Sequence, residues 1–191
     1  GALSRLPMYE KGQSIGLGCA VASLGHLIAM ALTPKLQSTV FALSYAVGGF
    51  LIARDPARAL GSRVQGLLAP MASALGCGGA GLTFAVFAAA EGTRLQLVLG
   101  SGWFWLLGGF VASTGFIGRG AALVVPLAGA VGFGVAGALG RATLDLAVAR
   151  GSTVAGMALA PAVVLFVGGT LLTAASNAAR RAARPTLGVD S

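Results

Sequence analysis

Few side chains in this sequence could do chemistry. His26 is the only histidine and lies inside an apolar segment. A charge at mid-helix in a membrane costs roughly 2.5 kcal/mol or more, so an ionisable group there marks a functional site unless it stays neutral. His26 reads as a haem or chlorophyll ligand, as a proton relay, or as a neutral imidazole bonded to a neighbouring helix or near the interface. A bis-histidine haem within one chain is excluded. Arg141 and Asp145 are four residues apart on one helix face, and Glu91 and Arg94 are three apart. Either each pair is a local ion pair that offsets the cost of charge near the interface, or Glu91, Arg94, Arg141 and Asp145 together form the mouth of a polar cavity for a small solute or proton.

Nothing else offers paired carboxylates, a nucleophile with its base, or a phosphate-binding loop. GxGxxG-like strings sit in apolar stretches with no strand before them. Cys19 and Cys77 lie in apolar runs without a CxxC or Cys/His cluster, which reads as two buried small hydrophobes and no metal site. The expectation is a non-enzymatic protein that requires no cofactor, with pigment, haem or quinone entering only within a larger complex.

The elements that must carry these residues are set by composition. The chain has 191 residues, 56% hydrophobic and 9% charged, with a mean hydropathy of +0.87, beyond the usual range of a water-soluble domain. Six apolar stretches approach the ~20 residues that span a hydrocarbon core: Ser14 to Leu32, Leu36 to Ala53, Val64 to Ala90, Leu95 to Ile117, Ala121 to Val148 and Thr153 to Ala175. The first sixteen or so residues lack the pattern of a cleavable signal peptide. A net charge of +8 could point to nucleic acid, but the basic residues flank the apolar stretches and read as topology signals and headgroup anchors. Nine lie at the N-terminus, in the second and fourth connections and in the tail, including Arg54, Arg58, Arg63 and Arg180, Arg181, Arg184; the other connections hold Lys35, Arg94, Arg141 and Arg150. Both termini are therefore expected on the cytoplasmic, matrix or stromal side.

A period of sixty residues runs through the chain. Tyr45-Ala-Val-Gly48-Gly49-Phe50, Trp105-Leu-Leu-Gly108-Gly109-Phe110 and Leu165-Phe-Val-Gly168-Gly169-Thr170 recur in one register, with Thr33, Thr93 and Thr153 in or beside the hairpin connections. Gly16, Gly76, Ala136 and Gly18, Gly78, Ala138 repeat in the odd segments. Two crossings per unit make the repeats parallel. The expected fold is all-α and integral to the membrane: six transmembrane helices as three parallel hairpins, in units of about 14–61, 64–120 and 121–178. It forms one domain over 1–191 with a basic tail at 179–191. The glycine pairs, and Gly132 and Gly140 flanking Ala136 at four-residue spacing, read as helix-packing surfaces or as a groove for lipid, pigment or quinone. Trp103 reads as an interface-belt residue, whereas Tyr45 and Trp105 coincide in the repeat and read as packing between hairpins.

Three tandem hairpins, six crossings and a glycine-centred second helix in each unit resemble the HdeD family of small bacterial membrane proteins, over about Ser14 to Ala178. That resemblance implies a role in acid or stress tolerance and supplies no catalytic residues. Two other functions are open: an accessory subunit of a respiratory or photosynthetic complex, and a small-solute or proton channel. The expected partners are membrane lipids and either further copies of the chain or other membrane subunits, with no nucleic acid. The expected location is a bacterial or organellar inner membrane.

Overall fold

A computed structural model describes residues 7–58, 63–88, 92–116 and 123–182. Among these are six α-helices and no strand: α1 (Pro7–Ala29), α2 (Pro34–Arg58), α3 (Arg63–Ala88), α4 (Arg94–Thr114), α5 (Val124–Ala149) and α6 (Thr153–Ala182). Five of them, α2 to α6, are long and apolar enough to cross a membrane. The apolar stretch of α1, Gln13–Ala29, is shorter. Its helix has 23 residues, about 34 Å at 1.5 Å per residue, but Glu10 and Lys11 fall in its opening turns. The chain is an all-α, multi-pass integral membrane protein.

The helix ends follow local chemistry more than hydropathy. Helix α1 begins on Pro7, whose missing N–H costs nothing at a first helical position. Helix α2 runs past the expected Ala53 to Arg58, and α6 past Ala175 to Ala182. Polar helical turns cost little once they leave the hydrocarbon, so the apolar stretch underestimates the helix. Thr93 caps α4 in a capping box: its hydroxyl accepts from Gln96 N–H, and the Gln96 side chain accepts from Thr93 N–H. The other two threonines of the sixty-residue register act differently. At Thr33 the backbone carbonyl accepts from Gln37 N–H, and Thr153 is already inside α6, with Ser152 accepting from Gly156 N–H. Helix α5 closes with Gly151 at φ +76°, where Gly151 N–H donates to Val148 and Ser152 N–H to Ala147. That left-handed position strains any residue with a Cβ.

Each helix packs on its sequence neighbours, α6 closes the ring against α1, and α2 also touches α6. The arrangement is a closed bundle, not a row of hairpins. Its interior is filled. Tyr45, Trp105, Phe133, Ile52, Leu165 and Leu172 are the largest fully buried side chains, joined by an aromatic chain from His26 and Phe41 through Tyr45 and Trp105 to Phe133. Outside, α5 presents Leu127, Val131, Val135 and Leu139 on one exposed stripe, the i, i+4 spacing of a single helix face.

Tyr45, Trp105 and Leu165, sixty residues apart, all lie in this core, as do Ile52, Ala112 and Leu172. The odd helices do not hold the same register. A Cβ at Gly16 would meet nothing within 4 Å, whereas one at Gly76 would collide with the Gly108 carbonyl of α4. The position in α1 that faces Gly48, as Gly76 faces Gly108, is Gly18, so the matched offset between the first two odd helices is two residues short of sixty.

Candidate functional site

Glycine decides how closely these helices approach, and the pairs divide the work. A Cβ at Gly48 would stand 2.5 Å from Leu165 Cδ1 and 3.0 Å from the Gly18 carbonyl of α1. At Gly108 it would stand 2.6 Å from the Gly76 carbonyl of α3, and at Gly168 it would strike the Phe133 ring of α5. The second glycines face other helices: Gly49 the Ser73 carbonyl of α3 at 2.7 Å, Gly109 the Gly129 carbonyl of α5 at 2.6 Å, and Gly169 Ile52 of α2 at 3.3 Å. Gly132 and Gly140 turn towards α6, against Leu171 and Val164. In lipid no hydrophobic force draws helices together, so such close backbone approach is what van der Waals association needs.

The same residues seat the core. Tyr45 lies on Gly81, Trp105 on Gly137, Phe133 on Gly168 and Leu165 on Gly48, each so close that a Cβ would collide. Hydroxyls add cross-links between helices: Ser23 donates to the Ala158 carbonyl at 2.7 Å and Ser101 to that of Gly137 at 3.1 Å. Gly81, Gly137 and Ser101 have no like residue sixty positions away, so the repeat did not reveal them; Ser23 has Thr83 and Thr143 at that offset, a recurrence of hydroxyls that could have marked it.

His26 lies in the last turn of α1, not deep in the span. It is buried, with Nδ1 2.9 Å from the Ala22 carbonyl. With Nδ1–H donating there, Nε2 is left as a bare acceptor, enclosed and without a partner. Phe41 at 4.4 Å and Tyr45 at 4.8 Å flank the ring. A flat macrocycle would reach Nε2 only by displacing its neighbours.

Of the four-residue polar group, the described residues show one pair. Glu91 lies outside the described residues. Arg94 is exposed at the first residue of α4, and Arg141 and Asp145 pair with each other. Arg141 Nε donates to Asp145 Oδ1 at 2.9 Å, with side chains 12% and 18% exposed. Asp145 Oδ2 is buried and unpartnered. One ion pair on one helix can anchor charge near the interface, and its spare oxygen can accept one more hydrogen bond. Trp103, nine residues into the 21-residue α4, is 59% exposed on the outside of the bundle. Cys77 is buried and Cys19 half-buried, both as free thiols, and the described residues hold no group of three His, Cys, Asp or Glu side chains able to bind a metal.

These features define a multi-pass α-helical membrane bundle with a packed, aromatic interior. No family model matches the chain, and no curated protein or solved structure matches it.

Proposed function

We propose that this chain is a non-enzymatic membrane protein that acts through its outer surface, as a bundle of the HdeD-like type that assembles with itself or engages lipid in support of stress or acid tolerance. The observation that carries this reading is the filled axis. Tyr45, Trp105, Phe133 and Leu165 occupy the space a conducting path would need, and the charged pair at Arg141 and Asp145 is internal to α5. The HdeD-like part rests on layout: three hairpins, glycine pairs sixty residues apart, and core residues at matching positions in α2, α4 and α6. The excess of basic residues beside the chain termini supports placing both on the cytoplasmic, matrix or stromal side of an inner membrane. Purified protein in proteoliposomes should pass neither protons nor small solutes faster than empty vesicles, and cells lacking the chain should survive low pH less well. Flux abolished by Asp145→Asn would replace this reading with a carrier.

An accessory subunit of a larger complex is the second reading. It is favoured by an apolar surface groove of about 330 Å³ between α3 and α4, lined by Leu75, Gly76, Gly79, Thr83, Phe104 and Leu107. Purification in mild detergent separates the two: a small colourless particle supports the first, and a large coloured one supports the second.

A further inference from the structure

We infer that the basic end of the α1–α2 hairpin is a binding site for the phosphodiester headgroup of an anionic phospholipid. A cleft of about 390 Å³ opens there, with Gln13, Ser14 and Leu17 of α1 on one side and Leu51, Arg54, Asp55 and Arg58 of α2 on the other. Its volume falls within the ~300–1,000 Å³ of small-molecule sites. The local pairing explains the lining. Gly18 packs on Gly48 and Ile52, and Gly25 on Ser44, which places Ser14 opposite Arg54. Leu51, Arg54, Asp55 and Arg58 fall at i, i+3, i+4 and i+7, one face of α2.

The chemistry of the lining selects an anion of one charge. Two guanidiniums and one carboxylate leave a net positive charge of one, matching a phosphodiester. Asp55 lies 3.8 Å from Arg58, whose side chain is 60% exposed. Such a pair contributes little energy, but it steadies the Arg58 guanidinium at the cleft and leaves its other N–H groups to donate. Ser14 lines the α1 side of the cleft, with its Oγ enclosed and without a hydrogen-bond partner. Leu17 and Leu51 decide between a lipid and a free anion. Leu17 is 54% exposed on the outside of the bundle, so the cleft continues from a polar end into apolar surface where an acyl chain can lie. Basic pockets between transmembrane helices on the cytoplasmic side bind such headgroups.

This assignment rests on the reading of the chain as a lipid-embedded bundle, not on the absence of transport. It is tested by native mass spectrometry and thermal melting of the full chain in nanodiscs of phosphatidylcholine, with and without phosphatidylglycerol. The wild type should retain phosphatidylglycerol over phosphatidylcholine by about tenfold, the scale of one to two interfacial arginines, and should melt higher when it is present. The Arg54→Gln, Arg58→Gln double variant should lose that preference while melting like wild type in phosphatidylcholine alone, and Arg181→Gln should keep it. Should the double variant not fold, the wild-type melting shift still decides. Equal retention of both lipids by the wild type, an unchanged preference in the double variant, or an equal shift from millimolar inorganic phosphate would each overturn the lipid site. Flux through a protein that keeps its lipid preference would overturn the proposed function and leave the site standing.

Discussion

Tyr45 of α2 and Trp105 of α4 meet edge to face, with ring centroids 4.7 Å apart at an interplanar angle of 68°. The contact spans two helices that are not neighbours in the ring, and both rings are buried. A T-shaped pair at this distance sets the positive edge of one ring against the negative face of the other, worth about 0.5–1.5 kcal/mol beyond its area. The contact holds the first two hairpins together from within.

Two tryptophans two residues apart should therefore respond in opposite ways. Trp105→Ala should cost about 3–5 kcal/mol through the cavity it leaves, lowering the melting temperature in detergent by many degrees. Trp103→Ala, on the exposed face, should stay within about 0.5 kcal/mol. Equal effects would mean that the core is not where the structure puts it.

Glycine substitutions should sort by what lies opposite. Gly137→Ala and Gly81→Ala drive a methyl into Trp105 and Tyr45 and should cost about 1–3 kcal/mol each. Gly79→Ala meets nothing within 4 Å and should be neutral, or stabilising by up to about 1 kcal/mol through helix propensity. Chemical denaturation of the three variants in one detergent reads the difference; a destabilised Gly79→Ala would reveal a partner seated in the α3–α4 groove.

Asp145→Asn should be worse than its single lost bond, because it leaves Arg141 half-buried and unpaired. A cost of about 1–3 kcal/mol is expected, below that of a fully buried pair because both side chains keep some solvent. Adding Arg141→Gln should restore part of that loss, giving a coupling energy between the two sites of at least about 0.5 kcal/mol. Strict additivity would show that the pair contributes nothing to folding.

His26→Phe should retain stability to within about 1.5 kcal/mol, the worth of the one hydrogen bond Nδ1 makes. The replacement keeps the packing against Phe41 and Tyr45 and removes an unpartnered nitrogen. His26→Ala should cost more, since it empties the space between those rings. Melting curves and absorption spectra of the native preparations test this together: a chromophore lost in His26→Phe alone would make the histidine a ligand.

Much of the architecture was legible before any contact was known, and the misreadings are informative. The spans in α2 to α6 announced themselves by hydropathy, and Tyr45 and Trp105 by their shared position in the even helices, whereas Leu165, at the same position in α6, was not singled out. Gly16 was read in the register of Gly76, yet Gly18 is the residue that packs on α2, because which residue of a helix meets its neighbour is set by how the two helices settle against each other and not by an offset along the sequence. The polar group was legible only in part. Arg141 and Asp145 pair within one helix, as their four-residue spacing allows, whereas any company from Arg94 is a matter of how α4 and α5 meet, which spacing along one helix does not carry. Arg54 and Arg58 were visible only as topology signals, since the cleft they line is made jointly with α1.

From residue types alone came the solvent, the helices and their number, because each turn of backbone in lipid must bond within itself and each side chain must tolerate hydrocarbon. Which face of each helix turns inward could come only from the folded bundle. In water a polar stripe marks the outside of a helix, but here lipid and core are equally apolar, so Leu139 and Leu165 look alike in the chain. Only close packing, glycine against ring and ring against ring, tells them apart.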